Sequence, residues 1–246
     1  MSNSNQANHI ENIDSRWKNL YRIGGVGALI AAVLLLIEII VFAIWPQQTT
    51  AIDYFTLFQS NKLIGLLDFY LLEMIAYILF VPIFLSLYVA IMKINESYMF
   101  IAVILAILGV SIFLSTNNSF SLLSLSNQYA AATTEAQKSI LLAAGQTMIA
   151  NTGQRALGGF NMGFLLVSIA GLIVSAVMLK STIFSKKTAY IGILAFAISL
   201  ADYFRVVFLS SLVALTLIIA VTSGVLLIVW FILVGRRLLK LGKDNS

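Results

Sequence analysis

Five ionisable side chains, Glu38, Asp68, Glu73, Asp202 and Arg205, stand inside otherwise hydrophobic runs of this chain. An ionised group held in hydrocarbon costs about 3 kcal/mol or more at the middle of a membrane helix. Each such group must therefore hold a proton, pair with an opposite charge, or face a water-filled cavity. Asp202 and Arg205 are three residues apart, on one face of a helix, and can pair. Glu38, Glu73 and Asp202 then set three carboxylates against one guanidinium, an excess of two negative charges if all ionise. A dry site cannot support that excess. A carboxylate holds a proton, a cation visits, or Arg155 leans in. The chemistry of such a set is binding of a proton, an ion or a polar small molecule. Glu38, Glu73, Asp202 and Arg205 form the candidate site, with Asp68 and Arg155 at its margin. The competing reading is structural: interhelical polar contacts of about 0.6–2 kcal/mol each, which choose helix partners and do no chemistry.

Much other chemistry is excluded. The chain has no cysteine, and its single histidine, His9, lies in a polar N-terminal stretch. Thiolate nucleophiles, cysteine-ligated zinc and a histidine relay inside the membrane are ruled out. Gly24, Gly25 and Gly27 follow no strand, so they form no nucleotide loop. No intramembrane-protease spacing and no metal set stands out, and no cofactor is expected. The net charge of +5 gathers beside hydrophobic ends, which reads as membrane topology and not as a nucleic-acid surface.

The elements that must position these groups are membrane spans. Of 246 residues, 60% are hydrophobic and 10% charged, against roughly 25% charged in soluble domains. A span needs about 20 largely apolar residues. Ile23 to Trp45 supplies the first, stopped by Pro46 and retained, not cleaved. Leu63 to Met92 supplies the second, carrying Pro82 as a kink. Tyr98 to about Ser115 is the third and Gly158 to Leu179 the fourth. Ala189 to Gly235 is long enough for two more, turning near Ser210-Ser211. The expected fold is all-α, a six-helix membrane domain over residues 21–242, with a polar tail at 1–20 and a short one at 243–246. Each run is too long and too uniformly apolar for barrel strands.

Basic residues test this threading. With both termini inside, the inner segments hold Arg16, Lys18, Arg22, Lys93, Lys180, Lys186, Lys187, Arg236, Arg237, Lys240 and Lys243. The outer segments hold only Lys62, Lys138, Arg155 and Arg205. The positive-inside rule thus predicts cytoplasmic termini in a plasma membrane. Glu38, seven residues before Trp45, then lies about 10 Å below the outer end of its helix. Asp202 and Glu73 fall toward the same outer side.

Two outer connections are more than turns. Thr50 to Phe58 opens like a capped helix rich in aromatic residues. Between spans three and four, Thr134-Glu135-Ala136-Gln137 is a capping-box pattern. After it, Leu141, Ala144, Met148 and Ile149 recur at helical spacing, which points to an amphipathic helix along or over the outer surface, the alternative being a structured loop packed on the bundle. Gly159-Phe160-Asn161-Met162-Gly163 is a small-xxx-small pattern that lets helices approach closely.

Three stretches carry a resemblance. They are Tyr21-Arg22-Ile23-Gly24-Gly25, Gln128-Tyr129-Ala130-Ala131-Ala132-Thr133-Thr134-Glu135-Ala136-Gln137, and Leu233-Val234-Gly235-Arg236-Arg237-Leu238. Together they resemble prokaryotic multi-pass membrane proteins catalogued only as a domain of unknown function. The resemblance runs from about Leu20 to Gly242. It implies a six-helix architecture in a prokaryotic membrane and assigns no residue roles.

Three functional classes follow. The first is a transporter or sensor of a small molecule or ion, favoured by the carboxylates and the Pro82 kink. The second is an accessory or scaffold protein packed against a larger partner, its polar cluster structural. The third, a lipid-modifying enzyme, lacks an evident nucleophile or metal set. The lipid bilayer is the one partner the composition demands. Oligomeric state is left open.

Overall fold

The computed structural model describes residues 15–44, 48–152, 161–208 and 213–243. All regular structure in them is helical. After a 3-10 turn at Ser15–Trp17 come ten α-helices: α1 Lys18–Ile44, α2 Ala51–Ser60, α3 Lys62–Asp68, α4 Leu71–Ile91, α5 Glu96–Thr116, α6 Ser119–Ala131, α7 Glu135–Thr152, α8 Met162–Met178, α9 Lys186–Phe208 and α10 Val213–Lys243. The first helix reaches back to Lys18, five residues before the apolar run begins.

Six helices close a ring. Each of α1, α4, α5, α8, α9 and α10 packs on the one before it, and α10 returns to α1. Neighbours run antiparallel. Arg22 Nε at the start of α1 donates to the Gly242 carbonyl at the end of α10 over 2.9 Å. Gly25 and Gly235 let those two helices touch at the backbone, since a Cβ on either would lie 3.0 Å or less from the other's carbonyl oxygen. Ser86 Oγ on α4 reaches both the Leu20 carbonyl (2.7 Å) and the Pro82 carbonyl (2.6 Å), tying the proline-bearing helix to α1. The ring therefore has two ends. One, the terminal end, holds the start of α1 and the finish of α10. The other, the capped end, carries the four remaining helices.

The bundle is apolar outward as well as inward. Ile23, Val26, Ile30, Val33, Ile37 and Ile40 form an exposed stripe at three- and four-residue spacing on α1. Ile218, Val221, Val225, Val229 and Ile232 do the same on α10. Between them lie fully buried small residues such as Ala28 and Ala31. Apolar stripes of that length need lipid, not water, as solvent. Among the described residues, five stretches are long and apolar enough to cross a membrane: Lys18–Val41, Leu71–Ile91, Glu96–Ala131, Lys186–Arg205 and Ile218–Lys243. Helix α8, Met162–Met178, is apolar but 17 residues long.

The cap is α2, α3, α6 and α7, packed on one another. Thr50 accepts from the Asp53 amide and starts α2, as its sequence predicts. Thr134 Oγ1 accepts from the Gln137 amide (3.2 Å) and starts α7. The return bond goes elsewhere than a capping box requires: Gln137 Oε1 accepts from the Thr133 amide, one residue early, at 3.3 Å. Polar side chains then stitch the cap. Gln146 Oε1 accepts from the Ala51 amide, and Ser126 Oγ donates to the Phe55 carbonyl while accepting from Gln59 Nε2.

The expected second span, Leu63 to Met92, is not one helix. It breaks at Phe69-Tyr70, where Tyr70 takes φ 66° and ψ 13°, the left-handed region. A non-glycine residue holds that conformation only where its surroundings over-determine it. Here Tyr70 is buried edge-on between Phe69 (5.2 Å) and Phe113 (6.4 Å). The Phe69 carbonyl, freed by the break, accepts from Ser119 Oγ at 2.6 Å. The polar run after Ser115 likewise ends α5, and the chain resumes at once as α6, a helix the periodicity did not predict.

Candidate functional site

At the capped end, four ring helices bring polar side chains together. Glu38 is buried near the end of α1, with 7% of its surface exposed. Glu73 sits in the first turn of α4, where the helix dipole favours a carboxylate. One turn further on, Tyr77 is buried with its ring stacked on Phe113 at 3.7 Å and 9°. Its phenol lies within electrostatic reach of Glu73, Glu38 and Tyr203, and beside the Asn161 side chain. Tyr203, near the end of α9, is within reach of Glu73 and Asp202. Its hydroxyl donates to the Asn161 carbonyl over 2.9 Å. Asn161 itself caps α8 by accepting from the Phe164 amide.

The ion pair foreseen on α9 is formed. Arg205 Nε donates to Asp202 Oδ1 at 2.6 Å. Both side chains are largely shielded, 7% exposed for Arg205 and 19% for Asp202. Arg205 Nη2 is buried without a hydrogen-bond partner among the described residues. A guanidinium offers five donors, so this pair uses part of its capacity and keeps a donor in reserve.

Glu38, Glu73, Asp202 and Arg205 therefore fall at one end of the ring. Glu38 and Glu73 both lie within electrostatic range of Tyr77, and Glu73 and Asp202 within range of Tyr203. Asp68 does not share a helix with Glu73. It ends the separate helix α3 and is buried, with 1% exposed. Arg155, Gly159, Trp45, Pro46 and the Ser210-Ser211 turn lie outside the described residues. Three members of the cluster were missed from the sequence: Tyr77, Tyr203 and Asn161. The signal was present, since Tyr77 follows Glu73 by one helical turn and Tyr203 adjoins Asp202. Tyrosine and asparagine are so common at membrane-helix ends that spacing alone did not separate them from interfacial anchors.

The arrangement sets carboxylates near phenols, groups that can hold or pass a proton. Among the described residues, no three His, Asp or Glu side chains converge closely enough to ligate a metal ion.

Below Tyr77, Phe80 stacks on Phe231 at 5.6 Å, and Phe231 meets Trp230 edge-on at 5.1 Å. No curated protein and no solved structure matches the chain. A family model does, over residues 20–235, which takes in α1, the cap, the polar cluster and most of α10. This all-helical membrane-type chain therefore belongs to the family described as a domain of unknown function, DUF4386.

Proposed function

We propose that the protein is a six-span membrane protein that binds a proton or small cationic ligand at its capped end, as part of a transporter or sensor. The sixth span is α8, which bridges α5 and α9 in the ring and is flanked by apolar helices on both sides. The eleven basic residues assigned inside all belong to the terminal end by connectivity, which favours cytoplasmic termini and an outward-facing cap. The membrane is then the plasma membrane of a prokaryotic cell.

The observation that carries the reading is the gathering at one end of the ring of the buried Glu38, the shielded Asp202–Arg205 pair and Glu73, the carboxylates lying within electrostatic range of Tyr77 and Tyr203. Carboxylates on three helices thus lie near two phenols in a low-dielectric interior. Like charges so placed repel, and a bound proton or cation relieves that repulsion. The test is cation and proton flux in proteoliposomes under an imposed membrane potential. The wild-type chain dissipates the gradient faster than protein-free vesicles, and Glu38→Gln or Glu73→Gln slows it. Equal rates for wild-type and both variants would remove the site.

A second reading, a scaffold whose polar groups are structural, is favoured by the internal Asp202–Arg205 pair and the Tyr203–Asn161 bond. It predicts a stoichiometric partner on purification and flux indifferent to Glu38.

A further inference from the structure

Helices α5 and α8 run antiparallel, so the start of one and the finish of the other lie together at the terminal end. A cleft of about 240 Å³ opens between them there. Its apolar lining is Ile94, Ile173, Ala176 and Val177, and its polar lining is Asn95, Tyr98 and Lys180. Pockets that enclose a whole drug-sized ligand run from about 300 to 1,000 Å³. A cleft below that range takes part of a longer molecule.

Local structure holds the polar groups in place. Lys180 stands in the turn that ends α8, where its amide donates to the Val177 carbonyl at 3.0 Å and the Ser181 amide to the Met178 carbonyl at 3.0 Å. Ile183 and Phe184 are buried and anchor that turn. The Lys180 side chain is exposed, and no carboxylate among the described residues pairs with it. Asn95 caps α5: its side-chain oxygen accepts from the Tyr98 amide at 3.1 Å, which leaves the side-chain nitrogen to donate. Tyr98 is 56% exposed in the first turn of a span, where membrane tyrosines sit at headgroup level. Ile101, exposed, and Leu105, half-buried, follow Tyr98 at helical spacing, so the cleft is continuous with the lipid-facing surface of α5.

The charge around the cleft is positive. The connection into α5 and the turn from α8 into α9 hold Lys93, Lys180, Lys186 and Lys187 against Glu96 alone. An apolar slot with an ammonium and neutral donors beside it, open to lipid, suits an acyl chain that carries a phosphate. Basic pockets between membrane helices at this level bind anionic headgroups. A zwitterionic headgroup brings its own cation, which the lysines repel.

We propose that this cleft holds one anionic phospholipid. The first part of an acyl chain lies against Ile173, Ala176 and Val177, and the phosphate sits on Lys180 with donors from Asn95 and Tyr98. The site lies at the opposite end of the ring from the carboxylate cluster and does not depend on the function given to that cluster. A lipid bound there spans α5 and α8 and stabilises the folded bundle by mass action.

Native mass spectrometry of the full chain, released from micelles holding equal amounts of phosphatidylglycerol and phosphatidylcholine, tests this. The wild-type protein should retain one phosphatidylglycerol in preference to phosphatidylcholine. Lys180→Gln should weaken that retention about fivefold, the contribution of one lysine at a membrane surface. Lys240→Gln removes an equal charge from an exposed position on α10, across the ring, and should leave retention near wild type. Ala176→Phe should fill the slot and reduce retention with Lys180 still in place. Thermal midpoints in lipid-free micelles show which variants are folded. Equal retention of the two lipids, or equal losses for Lys180→Gln and Lys240→Gln, would mean diffuse attraction to a basic end and overturn the proposal. Unchanged retention in a folded Ala176→Phe variant overturns it too. So does displacement of the lipid by inorganic phosphate, which would mark a phosphate site that needs no chain.

Discussion

A Cβ placed on Gly109 would lie 2.6 Å from the Gly163 carbonyl oxygen, and one placed on Gly163 would lie 2.6 Å from the Gly109 carbonyl oxygen. The two helices, α5 and α8, touch backbone to backbone at that point, near the capped end. Without a hydrophobic drive between helices in lipid, such approaches supply the packing that holds a bundle together. Gly163→Ala should therefore destabilise the protein by about 1–3 kcal/mol, as overpacking does. Gly27→Ala is the control, because its Cβ would stand 3.6 Å from Ile83, an ordinary contact. Thermal unfolding in micelles should lower the midpoint for the first and leave the second near wild type. Equal midpoints would mean that the close crossing is not formed.

Arg205→Gln should destabilise more than a surface pair would. Removing the cation leaves Asp202 shielded and uncompensated. A fully buried pair loses about 3–5 kcal/mol when one partner goes, and the partial exposure of Asp202 brings the expectation to about 2–3 kcal/mol. Adding Asp202→Asn should return at least half of that loss. A double-mutant cycle read by thermal unfolding checks it, and additive losses would argue against direct coupling.

Ser119→Ala tests the break between α3 and α4. The Phe69 carbonyl would lose its buried donor, with a cost of about 1–3 kcal/mol. Amide exchange should rise selectively around residues 69–73, since Ser119 holds the joint that sets Glu73. Uniform exchange across the chain would show that the joint is held by aromatic packing alone.

Topology is open to direct labelling because the chain has no cysteine to remove. Lys243→Cys and Ser139→Cys both place a thiol at an exposed position, one at the terminal end and one on α7 of the cap. An impermeant maleimide added to intact cells should label Ser139→Cys and spare Lys243→Cys until the membrane is opened. The reverse pattern would invert the assigned orientation.

The sequence carried the solvent and the long elements. Runs of about 20 apolar residues can be stable only in lipid, and their lengths marked where helices cross. The Asp202–Arg205 pair was equally legible, because residues three apart on a helix meet whatever else the fold does. Caps at Thr50 and Thr134 followed from the same local chemistry.

What only the tertiary structure decided is where helices meet and where one breaks. The split at Phe69-Tyr70 has no glycine or proline to announce it; the left-handed Tyr70 is sustained by the neighbouring Phe69 ring, the Phe113 ring of α5 and a hydroxyl from α6. The approach of carboxylates from different helices toward Tyr77 and Tyr203 is likewise a matter of which faces turn inward. Helices buried all round in apolar surroundings carry little amphipathic signal, so hydropathy states that they cross and stays silent on how they are rotated.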